Sequence, residues 1–222
     1  NIYKYLNIKP LEEILKNIII NIDGAYSIIL MCDENIYIIR DSLGMRPLSI
    51  AKKGNNICIC SESSLFDKIN YSFLREVYPG EIIKISNNKL YSLGIYNYHN
   101  NINFFKSSCS FEYIYLLNNN SIFNGIYAKE ARYYFGYNLW NQENTHFVNY
   151  VKKNISDFVI SYIPRTAQYS SEGYSDNSKI ELINFIKPSE KSQRTFIISD
   201  EFDRINSLYN KFFFENIPKK KK

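Results

Sequence analysis

Cysteine is scarce in this chain of 222 residues, and its spacing argues against a disulfide framework. The four cysteines, Cys32, Cys58, Cys60 and Cys109, form no Cys-x-x-Cys pair. Cys58 and Cys60 are two residues apart in a predicted strand, so their side chains point to the same face. We expect each thiol to be free and buried, which fits a reducing cytoplasm.

Long apolar runs are missing too. No stretch approaches the ~20 residues that a membrane-spanning helix needs, so no membrane partner is expected. Residues 1–5 lead into polar sequence without the apolar centre of a signal peptide. We therefore expect a cytoplasmic protein.

The chain also lacks a basic face. Its net charge of +5 comes largely from the four lysines at 219–222, and the remainder carries only +1. A nucleic-acid partner would need basic residues spread through the fold, so none is expected. We interpret the lysine run as a solvated tail, with an address signal or an anionic contact as the alternative.

Apolar and aromatic residues, in contrast, make up 45% and 16% of the sequence. This is ample for the core of one large domain or two small ones. Apolar residues recur at helical spacing after Pro10, and Glu12 and Glu13 lie where the helix dipole favours acids. The pattern predicts a helix of about three turns.

The following segment reads as short β-branched runs divided by turn residues. A hairpin is predicted at 25–31 and 36–40. Further strands are predicted at 48–51, 57–61, 81–85 and 89–93. A helix followed by consecutive antiparallel strands is typical of one layer pair of an α+β sandwich.

A polar stretch at 97–108, with four asparagines and two serines, is read as a domain boundary. Beyond it, strands alternate with helices, which favours a parallel sheet with crossover connections. The predictions are extended chain at 111–117, one long helix at 127–151, a buried strand at 158–163, a short helix at 167–175 and a strand at 180–186.

Several motifs follow one another along the chain. Arg40, Asp41, Gly44, Arg46 and Pro47 lie in one corner, which contains no nucleophile with a nearby base and reads locally as structural. The later motifs are 61–63, 74–77 with 79–81, 108–115, 121–125 and 131–136. In this order and at these intervals the motifs resemble the glutamine phosphoribosylpyrophosphate amidotransferase (amidophosphoribosyltransferase) family, over nearly all of residues 10–204.

The resemblance implies an α+β / α/β fold. It would comprise the back half of an N-terminal-nucleophile (Ntn) hydrolase α/β/β/α sandwich, followed by the start of a type I phosphoribosyltransferase α/β domain. The implied domains are a partial class II glutamine amidotransferase domain at 1–105, a partial phosphoribosyltransferase domain at 106–215 and a basic tail at 216–222.

The family makes 5-phosphoribosylamine, glutamate and pyrophosphate from glutamine, phosphoribosyl pyrophosphate and water, the first step of de novo purine synthesis. The resemblance thus implies a glycosyltransferase whose full-length form binds these substrates, with purine nucleotides as feedback ligands, in a homo-oligomer. The family's terminal cysteine nucleophile and acidic pyrophosphate motif have no counterpart in residues 1–222. We therefore expect no catalytic residue here and an inactive segment; whether it is a fragment or a complete product stays open.

Cofactor sites are implied by resemblance alone. Cys109 falls on one of four thiolate ligands of a 4Fe-4S cluster in the iron–sulfur branch of the family, whereas other branches carry a cysteine here without a cluster. A cluster needs several converging thiolates, so a buried thiol remains the alternative. Thr166 falls on a hydroxyl among the Mg²⁺ ligands, but Arg165 replaces an acid there, and a helix cap is the alternative role of Thr166.

Lys187 and Arg194 fall on the ends of the family's flexible loop and are candidates for phosphate or nucleotide binding. Considered alone they are two surface cations. The loop between them departs from the family pattern, as do residues 118–120 and Arg165. These departures support the alternative interpretation, a degenerate, non-catalytic homologue that serves as a binding or scaffold protein.

Overall fold

The computed structural model describes residues 10–97, 107–164, 167–189, 199–209 and 211–218. The chain divides into two compact units, Asn1–Ala128 and Lys129–Lys222. The predicted boundary at 105–106 lies outside the described residues, and the predicted domain assignments stay predictions. None of the helices among these described segments has the length and apolar character to span a bilayer.

The first helix, α1 (Leu11–Asn21), confirms the prediction from apolar spacing. It begins directly after Pro10, whose fixed φ suits a helix start. Leu15 and Ile19 are fully buried and pack against Tyr37 and Ile39 of the neighbouring sheet. The helix therefore covers one face of that sheet.

Among the described residues, sheet A contains four antiparallel strands in the order β1-β2-β6-β7. Its strands are β1 (Ser27–Cys32), β2 (Asn35–Arg40), β6 (Glu81–Ser86) and β7 (Lys89–Ile95). The predicted hairpin is confirmed, with Ile29 opposite Ile38. Asp33 supplies the left-handed backbone of its turn, at φ 52°.

In the part of the chain that the structure describes, sheet B contains three antiparallel strands in the order β4-β3-β5. Its strands are β3 (Ser49–Lys53), β4 (Asn56–Cys60) and β5 (Ser72–Glu76). The sequence did not predict β5, because most of this edge strand is exposed and shows no clear alternation of apolar residues.

The two sheets face each other across one core, in which Ile38 and Ile83 of sheet A meet Leu48, Ile50 and Val77. The short helix α2 (Ser64–Lys68) lies beyond sheet B, where the rings of Phe66 and Phe73 are 6.5 Å apart. The first unit is thus layered as helix, sheet, sheet, helix, and its α+β character is confirmed.

The prediction of extended chain at 111–117 is wrong. A π-helical turn spans Glu112–Leu116, followed by a small hairpin of β8 (Ile122–Phe123) and β9 (Ile126–Tyr127). The rings of Tyr113 and Phe123 are 5.4 Å apart. These tertiary contacts override the β propensity of the aromatic and β-branched residues.

The predicted long helix at 127–151 is two helices, α3 (Ala128–Asn141) and α4 (Thr145–Lys153). The break comes at Asn144, whose backbone is extended and whose side chain accepts the His146 N–H at 2.8 Å. This is an N-cap, so the second helix starts afresh.

Helix α5 (Gln168–Ser178) confirms the predicted short helix and extends it. It contacts α3 through two glycines. A Cβ at Gly136 would lie 1.7 Å from the Ser170 carbonyl oxygen, and one at Gly173 would lie 2.0 Å from that of Tyr133. The backbones can approach this closely because neither position carries a side chain.

The predicted parallel sheet is reduced, within the described residues, to one parallel bridge between Ile160 and Leu182. The predicted strands at 158–163 and 180–186 are therefore wrong in extent. Instead, β10 (Ile186–Pro188) pairs antiparallel with β11 (Phe212–Phe214). Helix α6 (Glu201–Tyr209) precedes β11.

Candidate functional site

The corner after β2 is organised by a buried arginine. Arg40 is 1% exposed, and its guanidinium donates to the carbonyl oxygens of Arg46 at 2.9 Å, Val77 at 2.5 Å and Gly44 at 3.0 Å. Its charge lies 5.7 Å from the Phe123 ring centre. Burial lowers the pKa of Arg40, against the opposing effect of nearby carboxylates.

Asp41 stabilises the same corner through its carboxylate. Its Oδ1 accepts the N–H groups of Leu43 at 3.0 Å and Met45 at 3.1 Å. Its Oδ2 and the Tyr26 hydroxyl are buried and find no hydrogen-bond partner in the described part of the chain. Burial, and then the Asp41 charge, raise the pKa of Tyr26 to about 12.

Arg46 leaves the same corner and reaches the π-helical turn. Its Nη1 is 2.6 Å from Glu112 Oε1. The Glu112 side chain is 5% exposed, so the guanidinium compensates a buried charge. The hydrogen bond and the charge of Glu112 raise the pKa of Arg46.

A second connection joins the loop before α2 to the loop before β8. Ser121 is fully buried and its Oγ donates to Glu62 Oε2. The same Oγ accepts the Ser64 N–H at 3.3 Å, and Ser63 Oγ accepts the Ile122 N–H at 2.7 Å. Each loop thereby provides hydrogen-bond partners for polar groups of the other loop.

A third connection starts at Glu76, the last residue of β5. Its two carboxylate oxygens accept the N–H groups of Asn124 and Gly125, each at 3.0 Å. These two residues form the turn of the β8–β9 hairpin and have φ values of 50° and 77°. Glu76 therefore holds this turn against sheet B.

Nearby, Arg75 and Glu81 form a bidentate pair with distances of 2.7 and 2.9 Å. Glu81 is 1% exposed and also accepts the Tyr78 N–H and the Ser92 hydroxyl, both at 2.9 Å. The Arg75 guanidinium thus compensates the charge of the buried Glu81 carboxylate.

We call these contacts the motif network: Arg40, Asp41, Arg46, Glu62, Ser63, Arg75, Glu76, Glu81, Glu112 and Ser121. The sequence placed these residues in separate motifs without linking them, and it did not single out the buried carboxylates as partners. Glu76 and Glu112 stand next to apolar residues, Val77 and Phe111, and this was the available signal. The network joins separate segments of the chain, and apart from Asp41 Oδ2 its carboxylates and hydroxyls make structural hydrogen bonds, so its role is to position these segments.

Cys109 lies next to this network. Its N–H donates to the Met45 carbonyl at 3.5 Å, and its own carbonyl accepts the Glu112 N–H at 3.1 Å. All four cysteines are free and partly exposed, so the predicted burial is wrong.

The described residues do not form a cluster site by themselves. In the part of the chain that the structure describes, no three His, Cys, Asp or Glu side chains converge to hold a metal ion. Cys109 offers one thiolate, whereas a cluster needs several. The 4Fe-4S ligand role of Cys109 stays a prediction.

Of the remaining site candidates, Lys187 lies in β10, opposite Phe213. Thr166 and Arg194 lie outside the described residues, so the structure does not show whether the predicted phosphate and Mg²⁺ ligands come together. All three assignments stay predictions.

The second unit contains a cavity of about 650 Å³. Asp157, Lys179 and Glu181 line it together with Tyr150 and Phe158. Its volume suits a small ligand, but neither Cys109 nor Lys187, the two sequence-predicted site residues that the structure describes, lines it.

No protein-family model matches this chain. Curated relatives are named amidophosphoribosyltransferase. That of Methanothermobacter thermautotrophicus is 29% identical over 181 residues, which cover 82% of this chain and 35% of the relative. That of Drosophila melanogaster is 30% identical over 189 residues, with 78% and 32% coverage.

Two solved structures share the fold. The glutamine phosphoribosylpyrophosphate amidotransferase of B. subtilis, complexed with ADP and GMP, has a TM-score of 0.76 at 25% identity and covers 96% of this chain and 44% of that one. A structure described as the allosteric regulatory enzyme of purine biosynthesis has a TM-score of 0.75 at 26% identity, with 95% and 43% coverage.

The fold and the motif network thus define an α+β chain of two units, the first a layered sandwich held by buried ion pairs. In sequence and in structure this chain is similar to amidophosphoribosyltransferases, which confirms the resemblance of its motifs. It spans about a third of the length of the curated relatives that it matches.

Proposed function

We propose that this chain is the central part of an amidophosphoribosyltransferase. The motif network carries this proposal, because motifs that resemble the family one by one also contact one another through specific polar pairs. Arg46 with Glu112, Glu62 with Ser121, and Glu76 with the 124–125 turn are such pairs. Chance resemblance of single motifs would not produce this mutual fit.

In this proposal the first unit supplies the back half of an Ntn-hydrolase glutaminase sandwich. The second supplies the start of a type I phosphoribosyltransferase domain. The whole protein would release ammonia from glutamine and transfer it to phosphoribosyl pyrophosphate, giving 5-phosphoribosylamine. The full-length enzyme would be a cytoplasmic homo-oligomer that responds to purine nucleotides.

The roles of this chain's own residues in that reaction are positional. Lys187 and Arg194 would bind phosphate oxygens, Lys187 as a point charge and Arg194 as a bidentate fork. Thr166 would offer a hydroxyl to Mg²⁺, which would neutralise the diphosphate leaving group. Cys109 would ligate a 4Fe-4S cluster together with cysteines outside this chain.

The test begins with the natural gene product. Its intact mass and amino-terminal residue are measured, and the protein is then assayed for glutamate release and for pyrophosphate release that depends on both substrates. We expect a product longer than this 26.2 kDa chain, with a terminal cysteine and both activities. Lys187→Ala should weaken the transferase activity and spare glutaminase, with Lys53→Ala as a surface control.

The alternative is a non-catalytic homologue. Arg165 in place of an acid favours it, because a guanidinium opposes a neighbouring Mg²⁺. A natural product that lacks both activities, and shows no Mg²⁺-dependent binding of phosphoribosyl pyrophosphate by calorimetry, would establish this alternative and overturn the enzyme proposal.

A further inference from the structure

Two cysteines of β4 share one face of sheet B. Cys58 and Cys60 are separated by Ile59 in this strand, so their side chains point the same way, because successive side chains of a strand alternate between faces. Ile59 packs against the core between the sheets. Both thiols therefore lie on the side of sheet B that faces away from this core, and both are partly exposed.

The neighbouring strand adds a buried hydroxyl to the same face. In the β3–β4 register, Ser49 lies directly opposite Cys60, and such side chains share a face with Cβ atoms about 4.5–5.5 Å apart. Ser49 is fully buried, and its Oγ has no hydrogen-bond partner in the described part of the chain. The hydroxyl is therefore available to donate to a charged sulfur. We call Ser49, Cys58 and Cys60 the β4 thiol site.

The contacts of the two sulfurs suit metal ligands. Cys60 Sγ accepts the Glu62 N–H at 3.4 Å, and such a hydrogen bond is stronger to a thiolate than to a thiol. The two thiols also interact, since burial and then the Cys60 charge raise the pKa of Cys58. Neighbouring thiolates repel each other, and a cation bound between them compensates both charges.

The spacing of the two thiols disfavours a disulfide. Side chains on the same face of a strand follow one another at about 6.5 Å, whereas the Cβ atoms of a disulfide lie about 3.5–4.5 Å apart. An ion between the sulfurs needs a wider spacing. With metal–sulfur bonds of about 2.3 Å, the two Sγ atoms lie up to about 4.6 Å apart. The strand thus suits a bridging ion and not a direct S–S bond.

The number and type of the ligands select the ion. Thiolates are soft ligands, which favour Cu(I) and Zn²⁺. Structural Zn²⁺ sites are almost always tetrahedral with four protein ligands, and among the described residues no three His, Cys, Asp or Glu side chains converge. Cu(I), in contrast, is satisfied by a pair of thiolates. The site therefore matches Cu(I) better than Zn²⁺.

We propose that Cys58 and Cys60 bind a thiophilic monovalent cation, Cu(I), and that Ser49 donates a hydrogen bond to the ligating sulfur of Cys60. Each thiol releases its proton to water as its sulfur binds the ion, and the oxidation state of copper does not change. No step of the proposed function uses these three residues, so the two proposals are independent.

Competition with a coloured Cu(I) chelator tests the site. The natural gene product is titrated under nitrogen with the Cu(I)–bathocuproine complex, and copper transfer is followed by the loss of the chelator's absorbance. We expect Cys58→Ser and Cys60→Ser each to abolish tight binding of this ion, and Ser49→Ala to weaken it by about tenfold, as changes around metal ligands typically do. Cys32→Ser, at a partly exposed thiol of sheet A, is the matched control and should bind copper as the parent does.

Alkylation gives a second readout that needs no variant. The parent protein is treated with iodoacetamide in the presence and absence of Cu(I), and the modified peptides are quantified by mass spectrometry. Copper should slow the alkylation of Cys58 and Cys60 several-fold and leave the rate at Cys32 unchanged. This measurement, with circular dichroism of each variant, distinguishes loss of binding from loss of folding.

Full Cu(I) binding by Cys58→Ser, or equal protection of Cys32, would show unspecific thiol binding and overturn the proposal. Zn²⁺ that displaces Cu(I) from the same two cysteines would assign the site to another ion and overturn it too. So would a disulfide between Cys58 and Cys60 in protein purified in air. Enzyme assays separate the two proposals, since an active product without copper binding refutes the β4 thiol site alone, and an inactive product that binds copper refutes the enzyme alone.

Discussion

Arg46 and Glu112 form an ion pair of 2.6 Å that joins the corner after β2 to the π-helical turn. The two partners differ in environment, since the Arg46 side chain is 47% exposed and that of Glu112 is 5% exposed. The buried Glu112 carboxylate therefore depends on the exposed Arg46 guanidinium for its charge compensation.

Arg46→Ala should destabilise the first unit by about 1–3 kcal/mol, because it leaves the buried Glu112 carboxylate without its cation. Arg46→Ala combined with Glu112→Gln should cost less than the two single changes summed, by about 1 kcal/mol, since the pair is half-exposed. A double-mutant cycle in urea measures this coupling. Additive effects would show that the pair contributes nothing.

Arg40→Ala should cost more, about 3–5 kcal/mol, because it removes a fully buried side chain and leaves three carbonyl oxygens without their donor. Arg40→Lys should recover only part of this, since an ammonium cannot reproduce the guanidinium fork. Equilibrium unfolding in urea checks both variants, with Lys53→Ala as the exposed control. An Arg40→Lys variant as stable as the parent would disprove the role of the fork.

Tyr26→Phe should be neutral or stabilising at neutral pH, because the hydroxyl is buried without a partner in the described residues. The folded pKa of Tyr26, about 12, lies above the ordinary value near 10. Its neutral form thus supports the fold fully below pH ~10, and this contribution is lost as the pH rises from there to about 12. Urea midpoints across this range should fall less for Tyr26→Phe than for the parent, with Tyr91→Phe as control. Parallel curves would contradict the assignment.

Gly136→Ala and Gly173→Ala should each destabilise the second unit by several kcal/mol, since the added Cβ would overlap a backbone carbonyl of the facing helix. Asn138→Ala, at an exposed site on α3, is the matched control and should be neutral or slightly stabilising. Circular dichroism during thermal unfolding distinguishes them. Unaltered melting of both glycine variants would mean that the helices do not cross this closely.

The local sequence pattern predicted those elements in which buried and exposed residues alternate with a regular period. Helix α1 and the β1–β2 hairpin were predicted because their apolar residues recur with the helical or strand period. The exposed strand β5 carries no such period, and the β propensity of 111–117 is overridden by the Arg46–Glu112 pair and the packing of Tyr113. The break between α3 and α4 was not predicted, because it depends on the single N-cap residue Asn144 within a sequence that is otherwise compatible with one helix.

The same limit applied to the candidate site, whose local motifs could be predicted and whose tertiary contacts could not. The motifs showed the resemblance to amidophosphoribosyltransferases without showing that they contact one another, because the partners of Glu62, Glu76 and Glu112 lie far away in sequence. Such pairing exists only after the chain has folded.

The three connections to residues 112–125 have a consequence for how such a gene could be divided or recombined. A breakpoint between 106 and 107 would send Glu112 and Ser121 to one product and leave their partners Arg46 and Glu62 in the other, so that the buried Glu112 carboxylate and Ser121 hydroxyl would lose their partners. A breakpoint between Ala128 and Lys129, where the compact units divide, would keep every one of these pairs intact. The seam at which modules could be exchanged therefore lies after the β8–β9 hairpin.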